Sequence, residues 1–223
     1  MRFILLAPLL LAAVPAAAQV ELLDQIAPEA GRGQVQVTTA PGGESVQLMS
    51  GVSDLLALGG SLEFEDGVLE EASASAMFRF SEPDEGPLGV AVELTGSLAR
   101  GGSLRNLEAR LILERQSDTW WVQGTGIVRN SREGDERGTG LAYVGSLQRK
   151  LAGAWLGVET SGRFARLSGS GEVFGTGQYY AGPSLTLEQG LGEKDLEVGL
   201  SWQQRLKGKG ARSGPRIYAQ FTF

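Results

Sequence analysis

The side chains in this sequence that could do chemistry are carboxylates and guanidinium groups set at alternate positions within apolar stretches. Glu63, Arg79, Glu93, Glu108, Arg110, Glu114, Arg129, Glu159, Arg163, Glu197 and Arg205 all occupy the polar phase of such stretches, with Glu188 and Arg216 beside them. Groups of both signs on one face can pair with each other or line a path for polar solutes. They do not amount to a catalytic site, because the 223 residues include His 0 and Cys 0, hence no imidazole base, no thiolate and no Cys/His metal site. Serine hydrolysis would lack its base. Glu82-Pro83-Asp84-Glu85 reads as a solvated turn rather than a Ca²⁺ site, and Gly124-Thr125-Gly126 has no following helix to make it a phosphate cradle. No catalytic residue, cofactor or metal is expected.

The element that would position these charges is a β-strand, in which successive side chains point to opposite faces. Leu56, Leu58, Gly60, Leu62 and Phe64 alternate with Ala57, Gly59, Ser61, Glu63 and Glu65, and the pattern recurs along the chain. Turn signals punctuate it at Asp66-Gly67, Gly101-Gly102-Ser103, Gln116-Ser117-Asp118, near Arg149-Lys150 and through the Gly- and Ser-rich run Ala165 to Gly177. Two residues depart from it. Ile112 falls among the polar positions, and Pro183 sits inside a strand, where it is tolerated only at a rim or a bulge. The alternation adds up to about twelve antiparallel strands in an up-and-down transmembrane β-barrel, ten being the alternative count. A soluble sandwich would alternate in the same way, but its strands average ~5 to 6 residues, shorter than the runs here.

Aromatic residues divide between the two phases. Trp120, Tyr143, Phe164, Trp202, Phe221 and Phe223 share the apolar phase and are expected to face lipid as an aromatic girdle. Trp121, Trp155 and Tyr218 share the polar phase and are expected to pack the lumen, the alternative being that they stack on an aromatic or sugar ligand.

Residues 1–18 read as a cleaved signal peptide: Arg2, the apolar run Phe3 to Val14, then Ala16-Ala17-Ala18. Residues 19–32 are expected to form either a short segment on the periplasmic side or a disordered leader, and 33–223 the barrel. No later run reaches the ~20 consecutive apolar residues of a membrane helix. Lys+Arg 20 against Asp+Glu 26, with no basic stripe, argues against nucleic acid as a partner.

The last nine residues, Pro215 to Phe223, place Ile217, Ala219, Phe221 and Phe223 on one face and Arg216, Tyr218, Gln220 and Thr222 on the other. This resembles the closing strand of Gram-negative outer-membrane β-barrels, where such a strand ending in Phe is the assembly signal. The resemblance implies the outer membrane as location and the barrel-assembly machinery as a partner. Gly51-Val52-Ser53-Asp54-Leu55-Leu56-Ala57-Leu58-Gly59-Gly60 running into Leu62-Glu63-Phe64-Glu65, together with Leu107 to Arg115, is similar to proteobacterial outer-membrane proteins grouped as transporters or as phenol-degradation meta-pathway proteins. That resemblance implies passive movement of small solutes, hydrophobic or aromatic ones among them, across the outer membrane.

The expectation is therefore a monomeric barrel surrounded by outer-membrane lipid, acting as a narrow channel or facilitator for small solutes. The alternative is a filled structural barrel whose surface loops, Asn130 to Gly138 and Ala165 to Gly177, bind a partner or stabilise the envelope.

Overall fold

A computed structural model of the chain describes residues 25–40, 43–83, 87–132, 137–169, 177–208 and 213–223. The signal-peptide assignment falls outside the described residues. Alternation becomes twelve strands: β1 (Gly33–Ala40), β2 (Gly43–Ser53), β3 (Leu56–Glu65), β4 (Val68–Ser81), β5 (Gly89–Ala99) and β6 (Leu104–Gln116). The second half supplies β7 (Trp120–Ser131), β8 (Gly138–Leu151), β9 (Ala154–Gly169), β10 (Gln178–Gly190), β11 (Asp195–Lys207) and β12 (Gly214–Thr222). Each strand pairs antiparallel with its sequence neighbours, and β1 pairs with β12, so the sheet closes and leaves no edge. Gly33 and Phe223 exchange backbone hydrogen bonds at 2.7 and 2.8 Å, which locks the seam. The closed cylinder rules out the two-sheet sandwich.

Turn chemistry places the hairpins. Asp66-Gly67 has φ 51° and 74°, and Ala152-Gly153 has φ 51° and 86°, so both tight turns use two consecutive left-handed residues, matching the right-handed strand twist. The β8–β9 turn thus lies at Ala152-Gly153, beyond the expected Arg149-Lys150, because Lys150 still pairs with Trp155 in the ladder. Likewise β9 runs on to Gly169, so the expected loop from Ala165 begins as strand; residues 170–176 lie outside those described.

Side chains sort as the period-2 pattern demands. Leu48, Leu58, Leu94, Leu111, Val122, Leu147, Val158 and Leu200 point outward and are exposed, while Met49, Ala57, Met77, Ala91, Ile112 and Ile127 point inward and are buried. A continuous apolar exterior of this extent does not persist in water, and acyl chains are the solvent it fits. Pro183 projects outward from β10; it pairs with Val158 of β9, and beside it Gly182 passes so close to the Trp202 carbonyl that a Cβ there would overlap it. The proline thus sits where the β10–β11 ladder is interrupted.

One mouth, the terminal end, carries Gly33, Phe223 and the turns after β2, β4, β6, β8 and β10. The other, the loop end, carries the remaining turns.

Candidate functional site: the barrel lumen

The charges nominated from sequence lie on the inner wall, and most find partners there. Glu63, Glu93, Glu108, Arg110, Glu114, Arg129, Glu159, Arg163 and Glu197 face the lumen along the strands, Arg79 near the terminal end, and Arg205 at the exposed loop-end rim. Burial of a charge is costly unless it is paired and hydrogen-bonded, and that dictates the arrangement. Glu108 receives the Nε–H of both Arg110 and Arg129. Arg216 Nη2 donates to Glu159 at 2.6 Å, and Gln203 Nε2 donates to the other Glu159 oxygen at 3.0 Å. Toward the terminal end the carboxylates are held by neutral donors as well: Glu114 by Trp121 Nε1 (2.8 Å), Glu188 by Trp155 Nε1 (2.8 Å) and Glu197 by the Tyr218 hydroxyl (2.5 Å).

Of residues 19–32, expected as a short segment on the periplasmic side, the described part begins at Gln25 and turns into the barrel at its terminal end. The segment crosses the lumen near the terminal end. Gln25 Nε2 donates to Glu197 Oε1 (2.8 Å), and Gln25 Oε1 accepts from Gln220 Nε2 (2.7 Å). The Ile26 amide donates to Glu114 (3.1 Å), the Ala27 amide to Met77 Sδ (3.2 Å), and the Ala27 carbonyl accepts from Arg79 Nη1 (3.3 Å). Ala27 joins Met49, Ala57, Met77, Ala91 and Ile112 in an apolar cluster inside the barrel, with Ile26 against it. Ala30 then runs beside Gly51, where a Cβ would overlap the Glu29 carbonyl oxygen, so only glycine lets the segment pass so near β2. Two of the apolar residues among polar positions, Ile112 and Met77, are explained by this packing. They were the available sequence signal for an inserted segment, and they cluster only when β4 and β6 curve toward one another.

Beyond the segment, toward the loop end, the inner faces of β2 to β7 enclose a polar recess with an empty volume of ≈ 660 Å³ that includes open solvent. Its wall is hydroxyl- and amide-rich, with Ser61, Ser73, Ser75, Thr95, Ser97 and Asn106, and it includes Glu63, Glu93 and the Glu108–Arg110–Arg129 group; among the described residues no aromatic or aliphatic side chain lines it. Ser61 and Ser73 hydroxyls bond at 2.7 Å, whereas the Ser97 hydroxyl is buried without a partner among the described residues.

Register links this recess to the terminal mouth. Partner by partner, one inward row runs from Glu188 through Glu197, Gln220 and Gln36 to Gln47. It continues through Ser61, Ser73, Ser97 and Asn106 to Ser131, next to the loop end. Every member is polar. The inserted Gln25 carboxamide sits on this row, bonded to two consecutive members. Elsewhere the lumen is tightly filled: Trp155, Arg216, Met77, Ile112, Ile127 and Gln203 are fully buried.

The outward aromatics occupy both ends of the cylinder. Phe221 and Phe223 stack at 5.8 Å and Trp120 begins β7, all at the terminal end. Tyr143, Phe164 and Tyr179 contact one another in sequence at 5.2 and 6.3 Å toward the loop end, and Tyr179 was not among the residues nominated. Trp202 stands mid-strand in β11. Ile217 and Ala219 face outward on β12 between β1 and β11.

No family model matches the chain, and no curated protein does. Solved structures of similar shape include the KdgM porin, at TM-score 0.52 and 10% identity, covering 86% of this chain and 98% of that one. A second is a chain from work on in-meso crystallization of membrane proteins, at TM-score 0.51 and 13% identity, covering 86% of this chain and 82% of that one. The outer membrane channel DcaP of Acinetobacter baumannii aligns at TM-score 0.40 and 14% identity over 93% of this chain and 70% of that one, too distant to carry an argument. At these identities the likeness is one of fold, and with its apolar exterior the chain has the fold of a Gram-negative outer-membrane β-barrel.

Proposed function

We propose that this protein is an outer-membrane channel for small polar solutes, closed by its own N-terminal segment. The observation that carries this reading is Gln25–Ala27 lying within the lumen of a porin-like barrel on a few hydrogen bonds to inward side chains, with a solvent-open polar recess beyond it. A few such bonds at about 1 kcal/mol each, plus a small apolar contact, hold a segment firmly yet leave it displaceable. The polar lining favours hydrophilic solutes over the aromatic ones implied by the phenol-pathway resemblance. An even strand count puts both termini on one side, in outer-membrane barrels the periplasmic one, and this reading has closure from that side. The reading is of a monomer in lipid, with no catalysis, inserted through the β12 assembly signal.

Planar-bilayer recording tests it. The full-length protein is expected to conduct rarely, and deletion of residues 25–30 to produce discrete openings, reduced by Glu108→Ala or Arg110→Ala. A folded deletion variant that stays silent favours the second reading, a filled structural barrel, to which the buried Trp155, Arg216 and Ile127 lend weight.

A further inference from the structure

We propose that the inner-wall pair Glu197 and Gln220 is a carboxamide-binding subsite, and that the solutes of this barrel are small primary amides or ureas. Gln25 is the template. Its amide nitrogen donates to the Glu197 carboxylate at 2.8 Å and its amide oxygen accepts from Gln220 Nε2 at 2.7 Å, so the two wall residues read a donor and an acceptor on one planar group. The carboxylate accepts and the Gln220 amide nitrogen donates, which fixes the orientation of the bound group.

Three features show that the position suits a mobile ligand as well as a tethered side chain. The Gln220 Oε1 is buried with no partner among the described residues. A free amide, not constrained by the backbone at residue 25, can turn its second N–H toward that oxygen and gain a bond that Gln25 forgoes. The Tyr218 hydroxyl donates to Glu197 at 2.5 Å and holds the carboxylate in place whether or not Gln25 is present. Finally, the subsite lies on the unbroken polar row that ends beside the loop mouth, whose next members are Gln36 and Gln47, themselves carboxamides, and then the Ser61 and Ser73 hydroxyls. An amide leaving Glu197 meets donors and acceptors at each step.

Such a solute competes with Gln25 for the same atoms, and its binding loosens the segment. The proposal rests on the channel reading for the route of the solute, and not for binding itself.

Ligand-detected NMR on the folded, detergent-solubilised protein tests it, with acetamide as the probe and acetate and ethylamine as same-sized controls, one lacking the donor and the other the acceptor. Gln25→Ala is expected to bind acetamide about tenfold more tightly than the natural chain, and to prefer it about tenfold over either control, as the gain or loss of one or two hydrogen bonds requires. Adding Gln220→Leu to Gln25→Ala should abolish that preference. Should Gln25→Ala fold poorly, deletion of residues 25–30 vacates the same subsite and is expected to give the same ranking. Equal acetamide binding by the natural and vacated chains, or no preference over acetate and ethylamine, overturns the proposal. A barrel that binds acetamide yet never conducts sinks the channel and leaves the subsite standing, and a conducting barrel indifferent to acetamide does the reverse.

Discussion

Arg216 and Glu159 show how a residue in this lumen is constrained by its partner. Their side chains are only 2% and 4% exposed and bond at 2.6 Å. Arg216→Met leaves a buried carboxylate held by a single amide, and breaking such a pair from one side costs about 3–5 kcal/mol. Denaturant unfolding from lipid vesicles should show that loss, and the double replacement Arg216→Met, Glu159→Met should recover most of it, because two apolar groups leave no charge uncompensated. Gly51 tests the inserted segment at the same scale. Gly51→Ala drives a Cβ into the Glu29 carbonyl while β2 keeps its ladder, so the barrel should still fold with the segment expelled. Trypsin should then cut after Arg32 severalfold faster than in the natural chain. Unchanged cleavage would mean that the segment tolerates the methyl group in place. The sequence distinguished inward from outward at Arg216 and Glu159. It did not pair Arg216 with Glu159, because the two belong to strands that no hairpin joins.

Among the elements, the strands were legible and their exact ends were not. Period-2 alternation is a local property, so β3, β5, β7 and β12 could be read directly from residue types. A hairpin end depends on which two residues tolerate positive φ, and the charged pair Arg149-Lys150 looks like a turn from composition alone. In the folded chain Lys150 Nζ lies 4.9 Å from the centre of the Trp155 ring, a cross-strand contact that keeps the ladder going to Ala152-Gly153. Replacing Ala152 by Asn, which adopts the left-handed region more readily, should leave the fold intact and raise stability by about 0.5–1 kcal/mol in the same unfolding assay. At β12 the outward Phe223 is the element's exposed tip. Phe223→Ser should reduce the amount of folded barrel in cells severalfold, read as the fraction migrating as the compact form on an unheated gel, with little effect on refolding of the purified chain. An equal yield in cells would remove β12 as the assembly signal.

For the whole molecule, the deciding quantity is the solvent around the cylinder. Leu94 and Leu111 are outward on adjacent strands and half-exposed. Leu94→Arg should cost about 2–4 kcal/mol if the residue lies near the bilayer midplane. A soluble barrel would pay almost nothing for the same change, so a cost below about 0.5 kcal/mol in lipid vesicles would contradict the membrane reading. Closure also controls the interior: twelve strands enclose enough cross-section for a path, yet Trp155, Arg216, Gln203 and the inserted segment occupy much of it.

The residue order by itself determined which side chains face lipid and which face the lumen, and hence the fold class and an interior of mixed charge, since alternation along one strand needs no knowledge of any other. Only the tertiary structure decided that Gln25 to Ala27 lie inside the barrel, that Glu108 is shared by two arginines, and that a polar row winds from Glu188 to Ser131. Those facts depend on the stagger with which β1 meets β12 and on the curvature that brings Met77 and Ile112 together around Ala27. They are relations between distant strands, fixed by closing the cylinder and invisible to a pattern that repeats every two residues.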